Sequence, residues 1–207
     1  MHKGVQDIWA IGKSPIKIEP LLNYLQEYPL KNVVNELSDG FVNGFRLKYT
    51  GPRIHRVSPN LLSAYQHQEE LKEKVRKEIN LGRVAGPFDN LPISNLQISP
   101  VGIVLKSDGL NWRLISHLSY PPSNGINAFI DPKFCTVKYT SFDRVVEMLS
   151  QLGKGAEMGV IDIKSAFRLL RVYPGDFGLL GFQIEGKYYI DKCLPMGCAS
   201  FQLFCIG

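Results

Sequence analysis

Residues Gly159–Leu169 read GVIDIKSAFRL. Val160 and Ile161 run into Asp162, and an aromatic residue, Phe167, follows five positions later. The apolar, β-branched segment Met158–Ile163 predicts a strand buried on both faces. An aspartate at the end of such a strand would be held rigidly and partly desolvated. A bare carboxylate there is costly unless it is paired or bound to a metal. Lys164 lies two residues on, the same face of a strand, and could neutralise Asp162. Asp162 could also cap a helix. It could equally be a ligand for Mg²⁺, which takes one or two carboxylates plus substrate phosphates. Two-metal phosphoryl transfer needs more than one carboxylate, and the sequence holds no Asp-Asp or Glu-Asp pair.

Outward from this stretch the pattern alternates. On its N-terminal side, TSFDRVVEMLSQLG (140–153) predicts a helix, with Thr140 as a possible N-cap, Asp143 three residues on, and Gly153 closing it. On its C-terminal side, LLGFQIEGKYYID (179–191) predicts a hairpin turning at Glu185-Gly186. LPMG (194–197) then begins a loop-to-helix step at Gly197. Further upstream, SPVGIVLKSDGLNWRLISHLSYPP (99–122) gives two apolar runs around Asp108-Gly109, a second hairpin with a loop that can exceed two residues.

The first part of the chain is helical by pattern. EPLLNYLQEYP (19–29) is a short helix bracketed by Pro20 and Pro29, with Leu21, Leu22, Leu25 and Tyr28 on one face. LKNVVNELSDG (30–40) predicts a second helix ending near Gly40. In HQEELKEKVRKEINLG (67–82), Leu71, Val75 and Ile79 form one apolar stripe, and Glu70–Lys74 and Glu73–Lys77 are i,i+4 pairs. The charges of this helix predict a solvated face, with phosphate contact as the alternative. Helices followed by alternating strands and helices give an α+β chain, with a soft boundary near Gly86-Pro87.

The chain has 207 residues, 44% hydrophobic and 21% charged, so it can bury a core and is not disordered as a whole. Its net charge of +5 fits a polyanionic partner without requiring one. No run approaches the ~20 apolar residues of a membrane span. The start has no signal-peptide core either, so the expectation is an intracellular protein of cytoplasm or nucleus. Cys135, Cys193, Cys198 and Cys205 form no CxxC pair and have no histidine at metal spacing, and so read as free thiols.

The segments VIDIKSAF (160–167), CLPMGCASF (193–201) and IVLKSDGLNWRLISHLSYP (103–121) together closely resemble the reverse transcriptase domain of retroelements. Within that family the chain looks most like DIRS-type, tyrosine-recombinase retrotransposons. The phrases NLGRVAGPF (80–88), GINAFI (125–130), VKYTSFD (137–143) and DIKSAFRLL (162–170) carry that likeness, which runs from about Pro15 to the end. The resemblance implies the fingers and first half of the palm of a right-hand polymerase over 87–207. Residues 1–86 would be an N-terminal helical extension.

Roles follow residue by residue from the resemblance. Asp162 would be the first metal-binding catalytic aspartate, and Ile163 would offer its carbonyl to the same ion. Lys106 and Arg113 would grip the triphosphate from the fingers hairpin, Arg with its bidentate fork. Phe167 would lie under the incoming sugar, and Met196 and Gly197 would pack against nucleotide and template. The implied cofactor is Mg²⁺, two ions in a complete enzyme. The implied partners are RNA or DNA template-primer and deoxynucleoside triphosphates. The family's Tyr-x-Asp-Asp motif does not occur in this sequence. The expectation is therefore a polymerase fragment truncated after the LPMG motif and inactive alone. The alternative is a non-catalytic nucleic-acid-binding remnant. His117, Trp112 and Tyr120 read as structural. A metal-dependent hydrolase built on Asp162 lacks a second carboxylate and a histidine cluster.

Overall fold

In chain order, α1 spans Ile18–Gln26 and α2 Lys31–Asn43, in a computed structural model that describes residues 7–135 and 140–199. The helix expected beyond Gly197, the apolar residues Leu203, Phe204 and Ile206, and Cys205 lie outside the described residues, as does part of VKYTSFD. α1 buries none of its residues fully, though Leu21 packs against the core. Tyr28 lies past its end and is exposed, so the fourth member of the expected face is missing. α2 runs past Gly40 and stops at Gly44 instead. Gly40 has another use: the Phe45 ring packs where its side chain would be.

β1 (Arg56–Val57) leads to α3 (Leu62–Gln66) and α4 (Gln68–Asn80). The predicted stripe of α4 forms: Leu71 and Val75 are buried, and Ile79 is packed beside them. Glu73–Lys77 pair at 2.7 Å as expected, but Glu70–Lys74 do not. Lys72 instead bridges Glu69 at 2.8 Å and Glu185 at 3.0 Å.

β2 (Val84–Phe88), β3 (Gln97–Ile98), β4 (Val101–Leu105) and β5 (Trp112–Ser116) follow. After them come α5 (Phe142–Leu152), β6 (Gly181–Ile184) and β7 (Lys187–Asp191). Five strands form a mixed sheet in the order β1-β3-β6-β7-β2, parallel across β1, β3 and β6 and antiparallel across β6, β7 and β2. Thus β1 and β2, from the first ninety residues, share a sheet with strands from the second half. Both predicted hairpins are present. β4 and β5 pair from Val101↔Ser116 to Leu105↔Trp112 around the longer loop. β6 and β7 pair around Glu185 and Gly186, both with positive φ, the conformation a two-residue hairpin turn demands.

The main core joins Phe45, Leu47, Leu96, Phe177, Ile190 and Leu194. A second cluster packs Leu71 and Val75 of α4 against Val101, Ile103 and Phe182, and so ties the β4–β5 hairpin to the sheet.

Two expectations near the opening stretch are corrected. α5 is capped by Ser141, whose hydroxyl accepts from the Arg144 amide at 3.2 Å, not by Thr140; Gly153 does close it. Met158–Ile163 forms no strand: Val160 and Ile161 are 96% and 95% exposed. A strand needs a ladder partner, and the described edges offer a poor one. β1 has two residues, and β2 carries Pro87 and a register shift between Ala85 and Phe88. The apolar run therefore stays unpaired. Among the described residues no helix is long and apolar enough to cross a membrane.

Candidate nucleotide-binding site

The β4–β5 hairpin holds two of the predicted cations. Its loop is shaped by Asp108, which accepts from the Leu110 amide (3.0 Å), the Asn111 amide (2.9 Å) and the Asn111 side chain (3.0 Å). These donors hold the Asp108 carboxyl down at about 2. The Lys106 amide donates to the Asn111 carbonyl at 2.7 Å, closing the ladder below the loop. Lys106 therefore sits at the end of one strand and Arg113 near the start of the other. Trp112 lies against the His67 ring with centroids 4.5 Å apart, fixing the hairpin at the start of α4.

Beneath the hairpin lies a cavity of about 380 Å³. Lys106 and Arg113 line it from above, Lys74 and Glu78 from α4, and Asp162, Lys164, Phe167 and Arg168 from the opening stretch. Asp191 at the end of β7 and Met196 from the LPMG turn complete the wall. Five of the seven site residues named from sequence thus meet in one cavity: Lys106, Arg113, Asp162, Phe167 and Met196. Ile163 does not line it; its side chain is half exposed. Gly197 sits behind the wall with φ +109, where a Cβ would meet the Ser116 carbonyl oxygen at 2.6 Å. Only glycine permits that approach of the LPMG turn to β5. Its own carbonyl accepts from the Asn127 side chain at 2.8 Å.

Phe167 belongs to a 3₁₀ turn, Ala166–Leu169, entered through Ser165 in the left-handed region. Arg168 anchors that turn. It donates to Glu78 through Nε (2.9 Å) and Nη2 (2.8 Å), and through Nη1 to Asp191 (2.6 Å) and the Cys193 carbonyl (3.1 Å). Burial alone would pull the guanidinium down, but Asp191 and Glu78 outweigh it and hold Arg168 above its ordinary value. Burial pushes Asp191 up, against the pull of Arg168. Cys193, buried alongside, is pushed up to about 11 and is an inert thiol.

Asp162 thus lies on an exposed segment at the mouth of a cavity, not at the end of a buried strand. It makes no ion pair with Lys164 among the described residues. Glu78 and Asp191 are committed to Arg168, so Asp162 is the one carboxylate open to a cation among the described residues that line the cavity. No group of three acidic, histidine or cysteine side chains able to hold a metal occurs among the described residues.

Sequence reading missed Lys74, Glu78, Arg168 and Asp191, and it left Trp112 as merely structural. One signal was present: Lys74 and Glu78 border the Leu71–Val75 stripe at helical spacing, so they share the inward side of α4. Arg168 and Asp191 gave a weaker one, as single charges in the apolar runs AFRLL and YYID.

No protein-family model and no curated protein matches the chain. Among solved structures it is similar to the prototype foamy virus protease-reverse transcriptase, in a selenomethionine-labelled CSH mutant, with TM-score 0.48 and 14% identity over 90% of this chain and 25% of that one. The foamy viral protease-reverse transcriptase in complex with dsDNA gives TM-score 0.46 and 13% identity, over 92% of this chain and 40% of that one. The complex with RNA/DNA hybrid gives 0.43 and 11%, over 91% and 26%. The chain thus spans between a quarter and two-fifths of the length of these proteins.

Proposed function

We propose that the chain is part of an RNA-directed DNA polymerase of a retroelement, its fingers and the first half of its palm, of the DIRS type by its sequence phrases. The observation that carries this reading is the meeting of Lys106, Arg113, Asp162, Phe167 and Met196 in one cavity. They come from separate segments and were singled out by motif alone.

In this reading Lys106 and Arg113 hold the phosphates of a deoxynucleoside triphosphate, where charge-assisted hydrogen bonds are strong. Asp162 and the Ile163 carbonyl would hold Mg²⁺ beside those phosphates, and the ion neutralises charge on the transferring group. Phe167 lies under the sugar and excludes a 2′-hydroxyl. Met196 packs against the base, and the Gly197 backbone lies next to the template. A primer 3′-hydroxyl would then attack the α-phosphate in line, with pyrophosphate leaving. The protein's part is positioning and charge stabilisation. With one open carboxylate in its cavity the chain holds the nucleotide but does not complete this reaction alone. RNA or DNA template-primer is its proposed partner, drawn by a net charge of +5.

Titrating the full chain with dATP and ATP in Mg²⁺ tests this reading. A ribose hydroxyl buried against Phe167 without a partner costs about 1–3 kcal/mol. The expected preference is therefore about tenfold for dATP, and Phe167→Val should narrow it without abolishing binding. Asp162→Asn should remove the Mg²⁺ dependence. Wild-type chain that binds neither nucleotide, or binds both equally with Phe167→Val changing nothing, would overturn it.

A further inference from the structure

We infer that Lys74 on α4 is a further phosphate-binding residue, so that the cavity grips a triphosphate from two sides, by the β4–β5 hairpin and by the helix beneath it. The inference rests on the nucleotide reading of the cavity and adds a ligand that no sequence motif named. Three observations carry it. First, Lys74 lies on the inward side of α4, between buried Leu71 and Val75 and one turn before Glu78, and it lines the cavity with Lys106 and Arg113. It also borders a smaller cavity of about 160 Å³, lined by Glu70, Glu73 and Lys77 of α4 and by Leu110, Asn111 and Trp112 of the hairpin, so it lies where helix and hairpin meet.

Second, Lys74 is left uncompensated where its neighbours are not. Lys72 is neutralised by Glu69 and Glu185, and Lys77 by Glu73. Lys74 has no ion pair or hydrogen bond among the described residues. Third, the cavity as a whole has the same imbalance. Lys74, Lys106, Arg113 and Lys164 line it with no ion pair among the described residues and only Asp162 as an unpaired carboxylate beside them, while Arg168 takes both Glu78 and Asp191. Unpaired cations gathered in one cleft repel one another and raise the local potential until a polyanion enters. A triphosphate chain offers three phosphate groups to cations placed on both the helix and the hairpin, where a monophosphate offers one. Each contact would be a charge-assisted hydrogen bond.

Calorimetric titration of the full chain in Mg²⁺ with inorganic tripolyphosphate, dTTP and dTMP tests the assignment, with a single-stranded oligonucleotide as a separate arm. Lys74→Gln should weaken tripolyphosphate and dTTP about tenfold, the loss of one charge-assisted contact, and dTMP much less. Lys74→Arg should restore binding to within about threefold, since the charge is kept while the geometry changes. Lys77→Gln, on the same helix but paired outside the cavity, should leave all three affinities unchanged, and thermal unfolding of all variants should match the wild type. If Lys106→Gln weakens dTTP but Lys74→Gln does not, the Lys74 assignment falls and the nucleotide reading stands. Lys77→Gln matching Lys74→Gln, or an effect confined to the oligonucleotide, overturns it as well. Wild-type chain that binds neither tripolyphosphate nor dTTP overturns both.

Discussion

The β6–β7 hairpin and the segment Met158–Ile163 are similar in composition and opposite in fate. Both are short, apolar and rich in residues that favour strands. The hairpin forms four ladder pairs and buries Phe182, Ile184 and Ile190. The segment forms none and leaves Val160 and Ile161 almost fully exposed. The difference lies in where the partner comes from. β6 brings its own partner within two residues, through a turn at Glu185 and Gly186, and the hairpin then docks through β6 on β3 and through β7 on β2. Met158–Ile163 must borrow an edge, and among the described strands only β1 and the proline-bearing β2 end the sheet. α5, just before it, behaves alike: its apolar side chains Phe142, Val146 and Leu152 are exposed. Strand propensity is thus a preference for a half-buried pleated surface, not a property of the segment itself.

The largest expected effect tests this contrast directly. Phe182 is buried and stacks on Tyr189 with ring centroids 5.1 Å apart. Phe182→Ala should cost about 4 kcal/mol in urea unfolding, the range for removing a buried aromatic ring. Ile161→Ala, a smaller truncation in an equally apolar run, should change stability by less than about 0.5 kcal/mol. Hydrogen exchange should agree, with amides of 181–191 protected to near the global stability and those of 158–163 exchanging freely. Protected amides in 158–163, or comparable losses from the two variants, would erase the distinction.

The same contrast explains what was legible in the sequence. Hairpins and α4 were readable because their signals are local: a turn dipeptide, a 3.6-residue stripe, a terminating glycine. The Ser141 cap and the true end of α2 were misplaced by one and a few residues, because Thr140, Ser141, Gly40 and Gly44 are chemically equivalent signals and only packing selects among them. The sheet order β1-β3-β6-β7-β2 was not legible, since two-residue strands such as β1 and β3 leave no periodicity to count. At the site, five of the seven residues named from motifs line one cavity, and Ile163 and Gly197 do not. The ion cluster beneath them went unseen because Glu78, Arg168 and Asp191 are brought together by folding, not by spacing.

A smaller effect is expected where the exposed run meets the sheet. Arg168 is the fastening point, bonded to α4 and to β7 at once. Arg168→Met keeps much of the volume but strips Asp191 of its cation and leaves Glu78 only Arg83, at 4.0 Å. Stripping one partner from a buried ionic cluster costs about 3 kcal/mol or more. The loss should depend on pH. Burial already pushes Asp191 up, and without Arg168 the opposing pull is gone. The folded variant then holds protons that the unfolded chain releases. Its deficit should be largest at pH 8 and shrink as pH falls towards the unfolded carboxylate value near 4. Urea midpoints of both proteins at pH 5 and pH 8 measure this. A deficit that grows on acidification would contradict the assigned cluster.

The smallest effect concerns the turn that lets β6 find β7. Glu185 has φ +48, a left-handed conformation unfavourable for a long side chain, and Gly186 follows at φ +76. Asn-Gly is the preferred pair for such a turn, because asparagine tolerates the left-handed region through local hydrogen bonding. Glu185→Asn relieves part of a backbone cost of about 1 kcal/mol. It also removes the contact to Lys72, which works the other way. That contact is exposed and screened by solvent, and Lys72 keeps Glu69 at 2.8 Å. Backbone relief should therefore win by about 0.5 kcal/mol, raising the midpoint of thermal unfolding by roughly 1–2 °C in a chain of this size. Repeating the scan at high salt separates the two contributions, since screening removes the Lys72 contact from the wild type and leaves the backbone gain intact. The advantage of the variant should then widen slightly. A variant less stable than wild type in low salt, with the gap closing in high salt, would mean that the ion pair and not the turn secures the hairpin to α4.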